Sequence, residues 1–278
     1  MSNIIRRRDN ANQALVDASS PILPEVYFNL VKCVPGTPVR IEVANTEIVA
    51  VVLSGTCDIG VGAERFADVG QRRSIWDGKA DSVYAGSGQP LVFEAKGGPV
   101  EIALAGAPAR GDYKPFRIAP QEVESVVVGS SDTKSKREIF HILGQNANDR
   151  VGALLVSELY CEEGCWSGYP PHKHDEDRSG ETNHAELYHY RYNPPTGFGA
   201  QLHYVTGEAP RAEMVMDGDT YLLPDGYHPT VASPGHSGYV FTILVGRTQR
   251  GLVQHFDTTH DHLVARIPGI AGMRAAFK

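Results

Sequence analysis

The chain carries eleven histidines, and only His141 precedes residue 172. The informative group is His172-Lys173-His174, followed twelve residues later by Glu186 and further on by His228. Along a β-strand successive side chains point to opposite faces, so His172 and His174 share one face and Lys173 takes the other. Two neutral imidazoles on one face can chelate a single divalent ion. A carboxylate and a third imidazole from neighbouring strands would complete a His3Glu set suited to Zn, Mn, Fe, Co or Ni. His172, His174, Glu186 and His228 are therefore candidate ligands for one divalent metal ion per chain, with zinc the first choice. Pro170-Pro171 lack ladder donors and suit the start of a strand.

Alternation also sorts the neighbours. If Glu186 faces the ion, then Tyr188, Tyr190 and Tyr192 share its face while His189 and Arg191 turn away. Glu186, Tyr188 and Tyr190 are the candidate catalytic residues, with aromatic core packing the competing role for the tyrosines. Gln201 and His203 share a face of the next strand and are candidate substrate-binding residues. An imidazole near neutrality could also act as a base. Cys161 and Cys165 flank a Glu-Glu-Gly turn without a second cysteine pair, which reads as structural. His260-Asp261-His262 has no companion motif and reads as a solvent-facing tail, and Arg6-Arg7-Arg8 as a solvated terminus.

These residues need a scaffold that brings separate strands together. At 278 residues the chain is long enough for two domains on a scale of roughly 100–200 residues each. Gly and Pro fall between short β-rich runs, as in an antiparallel sandwich or barrel. Strands are expected at 38–43, 47–53, 91–94 and 100–105, then at 153–160, 186–192, 200–206, 220–223 and 239–245. The segment 134–144 reads equally as helix or strand. Ser54-Gly55, Asp217-Gly218 and Asp225-Gly226 are turn signals. The polar stretch 129–136 is the expected linker, giving domains at 1–130 and 131–278.

Composition narrows the partners. The formal charge of −7 disfavours nucleic acid, which needs a cationic face. No apolar run is long enough to cross a bilayer, and the first residues do not read as a secretion signal. Four cysteines are too few for a disulfide framework, so a cytoplasmic protein is expected.

Wider stretches carry a resemblance. His-x-His with a later Glu and Gly197 resembles the first metal motif of cupin barrels, and Gly218-x5-Pro224-x-Gly226-x-His228 resembles the second. Residues 166–175 (WSGYPPHKHD) look like the WSSYPPHKHD signature of the 5-deoxy-glucuronate isomerases of myo-inositol catabolism. Residues 186–198 (ELYHYRYNPPTGF) with Gln201 are similar to the EIYYYRFNPPxGF…Q block of those enzymes, and Gly70–Gly78 resembles a segment shared with the related 4-deoxy-5-ketouronate isomerases. Departures are Cys165, Gly168, Thr242, the charged insert 175–184 and a missing Trp after Asp261-His262.

The resemblance implies an all-β bicupin, two jelly-roll β-barrels, with metal ligands only in the second. It also implies an aldose–ketose isomerase converting 5-deoxy-glucuronate to 2-deoxy-5-keto-gluconate. Its partner would be a small acidic sugar, with no nucleic acid and no membrane, and exposed sheet edges make a homo-oligomer plausible. Alternatives are a cupin dioxygenase and a pirin-like, non-enzymatic sugar-binding or regulatory bicupin. An acidic sugar needs a cation. Lys173 and Arg191 face outward by alternation, which leaves Arg72 and Arg73 if two barrels or two subunits meet there.

Overall fold

The computed structural model describes residues 2–276, and strands dominate it. No helix among them is long and apolar enough to cross a membrane. The chain forms two compact units. One comprises the segment ending at Arg8, Ser125–Gln145 and everything from Leu155 onward; the other comprises Asp9–Glu124 and Asn146–Leu154.

The first of these holds the candidate ligands. Among the described residues, its larger sheet runs Ile4–Ile5, Thr220–Leu223, His184–Asn193, Ser237–Gly246, Leu154–Cys161, Arg137–Leu143 and Glu124–Val128. A four-stranded sheet runs Trp166–Ser167, Thr230–Ala232, Phe198–His203 and Arg211–Met216. His172–Lys173 pairs separately with His255–Phe256. Val215 and Ala232 of the smaller sheet pack with Tyr188, Tyr190 and Tyr192 of the larger one, closing an apolar interior. Ile270 and Met273 are buried in the same interior, so the tail beyond the exposed Asp261 and His262 returns to the barrel.

The other unit repeats the plan. Its strands run Tyr27–Cys33, Leu91–Pro108, Thr46–Val61, Asp81–Ala85 and Phe116–Ile118, with Val39–Ile41 and Glu64–Val69 added on the two long strands. Register shifts around Ser54 bend Thr46–Val61 against its partner. The interior is filled by Cys33, Cys57, Ile59, Val83, Phe93 and Leu104, where the other barrel has imidazoles.

Several expectations change. The runs expected at 91–94 and 100–105 are one strand, because pairing with Thr46–Val61 continues through Lys96. The undecided segment 134–144 contains the strand Arg137–Leu143. Domains 1–130 and 131–278 differ from the observed division in three places. Ile4–Ile5 pairs with the edge of Thr220–Leu223, and Arg6 reaches Asp219 at 2.7 Å while Arg7 reaches Asp217 at 2.8 Å, so these arginines are docked and not a free terminus. The stretch 129–136 is a loop between two strands of one sheet, held by hydroxyl contacts among Ser130, Thr133 and Ser135.

The third departure is the segment 146–154, and Glu47 explains it. This fully buried carboxylate accepts the N–H groups of Gly152 at 2.7 Å, Ala153 at 2.6 Å and Leu154 at 3.2 Å, and the Tyr84 hydroxyl at 2.6 Å. A buried donor left without an acceptor costs about 1–3 kcal/mol. Glu47→Ala is therefore expected to destabilise the protein by at least about 3 kcal/mol, read as a lower urea midpoint. Glu47→Gln, which keeps an acceptor oxygen, is expected to lose less.

His141 gives a pH prediction. Its imidazole is buried, and burial lowers its pKa to about 4. Below the ordinary value near 6.5 the unfolded chain takes up a proton that the folded chain refuses. Stability is thus lost as pH falls from 6.5 toward 4. The stability advantage of the native chain over His141→Phe is expected to shrink by about 2 kcal/mol between pH 7 and pH 5, measured by denaturant titration.

Candidate metal centre

The three histidines are aimed by the backbone. His172 Nδ1 lies 3.2 Å from the carbonyl of Pro170, His174 Nδ1 3.3 Å from that of His184, and His228 Nδ1 2.8 Å from that of Gly226. A carbonyl can only accept, so each Nδ1 carries a proton and each Nε2 is turned inward, where the Glu186 carboxylate beside His174 Nε2 raises that ring's pKa against its burial. Those nitrogens converge: the three imidazoles offer atoms within 4.8 Å of one another, all buried.

Glu186 completes the cluster. Its Oε2 lies 3.0 Å from His174 Nε2 and 3.0 Å from His228 Nε2. His228 Nε2 makes no hydrogen bond even so, and no solvent reaches it. Burial alone would raise the Glu186 pKa, but His174 and His228 beside it hold the carboxyl low. Burial pushes His172 well below its usual value, and His228 and His174 add to this, so it stays neutral and able to donate its lone pair. A cation among these four groups would satisfy the orphaned nitrogen and the carboxylate together. The three-histidine group could hold a metal ion, and its donors fit one.

Local packing fixes the two ligand-bearing loops. As alternation requires, Lys173 turns away from the cluster. Its ammonium pairs with Asp175, with Glu176 at 2.9 Å and with Glu181 at 2.8 Å. Glu181 is buried and also binds Arg178 at 2.7 Å, so the insert 175–184 is a fastened loop. Asp175 accepts the Gly226 N–H at 2.7 Å, tying the His172–His174 loop to the turn that presents His228. Gly226 has φ +74°, and a Cβ there would lie 2.8 Å from Tyr204 O and 2.9 Å from His203 Nε2. Gly168, which departs from the resembled signature, has φ +58° beneath the His228 carbonyl.

The remaining expected site residues separate. Tyr188 lines the cavity beside His172 and Glu186, together with Thr242, its cross-strand partner. Tyr190 does not line it: its hydroxyl donates to Gln201 Oε1 at 2.5 Å. The Gln201 amide donates to Leu202 O at 2.7 Å and His228 O at 3.0 Å. Gln201 is thus spent on holding the His228 backbone and is not free for substrate. His203 is also committed, with Nε2 2.9 Å from Asp225 O and Nδ1 accepting from Arg211 at 2.9 Å. Shared strand faces carried these three into the candidate list, and depth along the barrel separates them. Arg72 is likewise engaged within its own unit, donating to Val52 O at 3.0 Å and Gly78 O at 3.1 Å.

Two cavity residues escaped the sequence reading. Gln254, just before His255–Phe256, places its amide nitrogen 2.9 Å from His172 Nε2. Arg137 lines the cavity from the Arg137–Leu143 strand. Neither carries a motif, and only the pairing of distant strands brings them there.

Two β-barrels in one chain, one with a buried histidine–carboxylate cluster, define a bicupin. Solved structures bear this out: oxalate decarboxylase from Bacillus subtilis aligns with a TM-score of 0.61 at 13% identity, over 84% of this chain and 71% of that one. The chain belongs to the KduI/IolB family, whose model matches residues 4–263. It is similar to an IolB-like protein from Salmonella typhimurium LT2, with a TM-score of 0.86 and 26% identity over 95% of this chain and 99% of that one. It is 33% identical to a 5-deoxy-glucuronate isomerase of Geobacillus kaustophilus over 85% of this chain and 84% of the relative. The enzyme of that name from Bacillus velezensis is 28% identical over 96% of this chain and its own full length.

The Gln201 contacts generate a prediction. Residues that orient metal ligands typically contribute about 10–100-fold to metal affinity. Gln201→Leu is expected to weaken binding of added zinc within that range while far-ultraviolet circular dichroism is retained, measured by competition with a chromophoric chelator. Unchanged affinity would remove the positioning role given to Gln201.

Proposed function

We propose that this chain is a metal-dependent aldose–ketose isomerase that converts 5-deoxy-glucuronate to 2-deoxy-5-keto-gluconate in inositol catabolism. The observation that carries the reading is the convergence of three buried imidazoles, two of them against the Glu186 carboxylate, in a member of a family whose similar relatives are 5-deoxy-glucuronate isomerases. His172, His174, Glu186 and His228 would hold one divalent ion, zinc by preference. When bound, such an ion polarises a carbonyl and acidifies a neighbouring hydroxyl, the two changes an aldose–ketose exchange requires.

The chain's own groups supply the rest. Burial, reinforced by Glu186, keeps Tyr188 protonated well above the ordinary phenol range, so it acts as a hydrogen-bond donor and not as a base. It faces the substrate oxygen from beside Glu186, with the Thr242 hydroxyl next to it. Glu186 contacts both imidazoles through Oε2, and in this reading its other oxygen carries the proton between adjacent substrate carbons. Gln254 orients whatever lies at His172. The buried walls keep water from the reacting carbons.

The protein would work in the cytoplasm on a small acidic sugar, without nucleic acid or membrane. Self-association is supported by Phe198, Met214 and Met216, exposed on the paired strands Phe198–His203 and Arg211–Met216, the latter at a sheet edge.

Two outcomes test the reading with 5-deoxy-glucuronate. Chelator treatment is expected to abolish turnover and a divalent ion to restore it, and Glu186→Gln to lower kcat by about 1,000-fold or more. In deuterated water the Glu186 assignment predicts one deuterium on the new carbon of the product. Full activity without metal would defeat the metal role, and product free of deuterium would replace the proton route with an internal hydride shift.

A further inference from the structure

Arg137 is three per cent exposed, on a strand whose inner face lines the cavity of the imidazole cluster. Its Nη1 donates to the Ser135 carbonyl at 2.8 Å and its Nη2 to the Tyr169 carbonyl at 2.7 Å. Both acceptors are neutral. Among the described residues, no carboxylate pairs with this guanidinium. Burial pushes the neighbouring Cys161 thiol up to about 12, so it brings no compensating charge at neutral pH.

Burying a cation without a counter-charge is costly, and proteins ordinarily avoid it. Burial lowers the Arg137 pKa to about 10, which leaves the group charged at neutrality. A guanidinium presents five N–H donors in a planar fork that matches a carboxylate, and only two are engaged here. The neighbouring cations are spent elsewhere: Lys173 and Arg178 on Glu181, and Arg211 on His203. The cavity therefore has a cluster that can handle a carbonyl and hydroxyl, and one uncompensated positive fork.

We propose that Arg137 is the carboxylate receptor of this cavity and sets its preference for sugar acids over neutral sugars. The inference rests on the isomerase reading for the sugar class. The carboxylate preference itself does not need turnover. Holding the acid end through the fork would fix which carbons of an open-chain sugar reach Glu186 and Tyr188. The Tyr169 carbonyl that steadies Arg137 precedes Pro170-Pro171-His172, so the receptor and the first imidazole share one loop.

Calorimetric titration of the metal-loaded protein with D-glucuronate and with D-glucose tests this, using the native chain, Arg137→Lys and Arg137→Met. The native chain is expected to prefer glucuronate by about 100-fold, as for a charge-assisted bidentate contact. The preference should fall to within about threefold in Arg137→Met, with Arg137→Lys between them because it keeps the charge and loses the fork. Metal content and near-ultraviolet circular dichroism check the fold. If Arg137→Met fails to fold, the lysine variant decides, with a loss of preference of about tenfold expected. A preference absent in the native chain, or unchanged in a folded variant, as when both sugars weaken equally, would overturn the proposal. Glucuronate preference without any isomerisation of 5-deoxy-glucuronate would defeat the isomerase reading and leave the receptor standing.

Discussion

Three imidazole nitrogens turned inward, two of them 3.0 Å from one carboxylate oxygen, form a crowded arrangement of electron-rich atoms in a buried place. Water cannot relieve it, and a hydrogen bond relieves it only in part, as the orphaned His228 Nε2 shows. Only a positive charge at the centre satisfies all four groups. The rest of the barrel is organised around making this confrontation unavoidable. Each Nδ1 is tied to a main-chain carbonyl, so no ring can flip its lone pair away without losing a buried hydrogen bond.

Holding such groups together requires a scaffold that cannot yield. The two ligand loops are cross-linked through Asp175 and Gly226, while Lys173 gathers carboxylates on the far face of the same two-residue strand. Tyr190 and Gln201, which at first sight could belong to the chemistry, buttress the carbonyl of His228 instead. The other barrel has no such strain to contain. Its interior is largely apolar, and its fully buried acid, Glu47, is saturated by backbone N–H groups and a tyrosine.

Much of this was legible beforehand, because strand alternation and motif spacing are local. They placed His172 and His174 on one face and Lys173 on the other, and they picked out Glu186 and His228. Alternation reports a face but not a depth, which is why it also offers Tyr190 as catalytic and Gln201 and His203 as substrate-binding. Arg137 and Gln254 were invisible for a different reason. Their positions depend on which distant strands pair, and no short pattern encodes that. The strand Tyr27–Cys33 has no clean alternation because it is buried on both faces, and the run Leu91–Pro108 reads as two strands because its pairing with Thr46–Val61 breaks between Lys96 and Glu101. The domain boundary was misplaced by a polar loop that looks like a linker but closes within a single sheet.

The central claim is that a cation sits among these four side chains, and X-ray absorption at the metal edge of the purified protein tests it most directly. For zinc, the account predicts three imidazole nitrogens at about 2.0–2.1 Å and a carboxylate oxygen at about 2.0–2.2 Å. A spectrum with sulfur neighbours, or with fewer than three imidazoles, would contradict it.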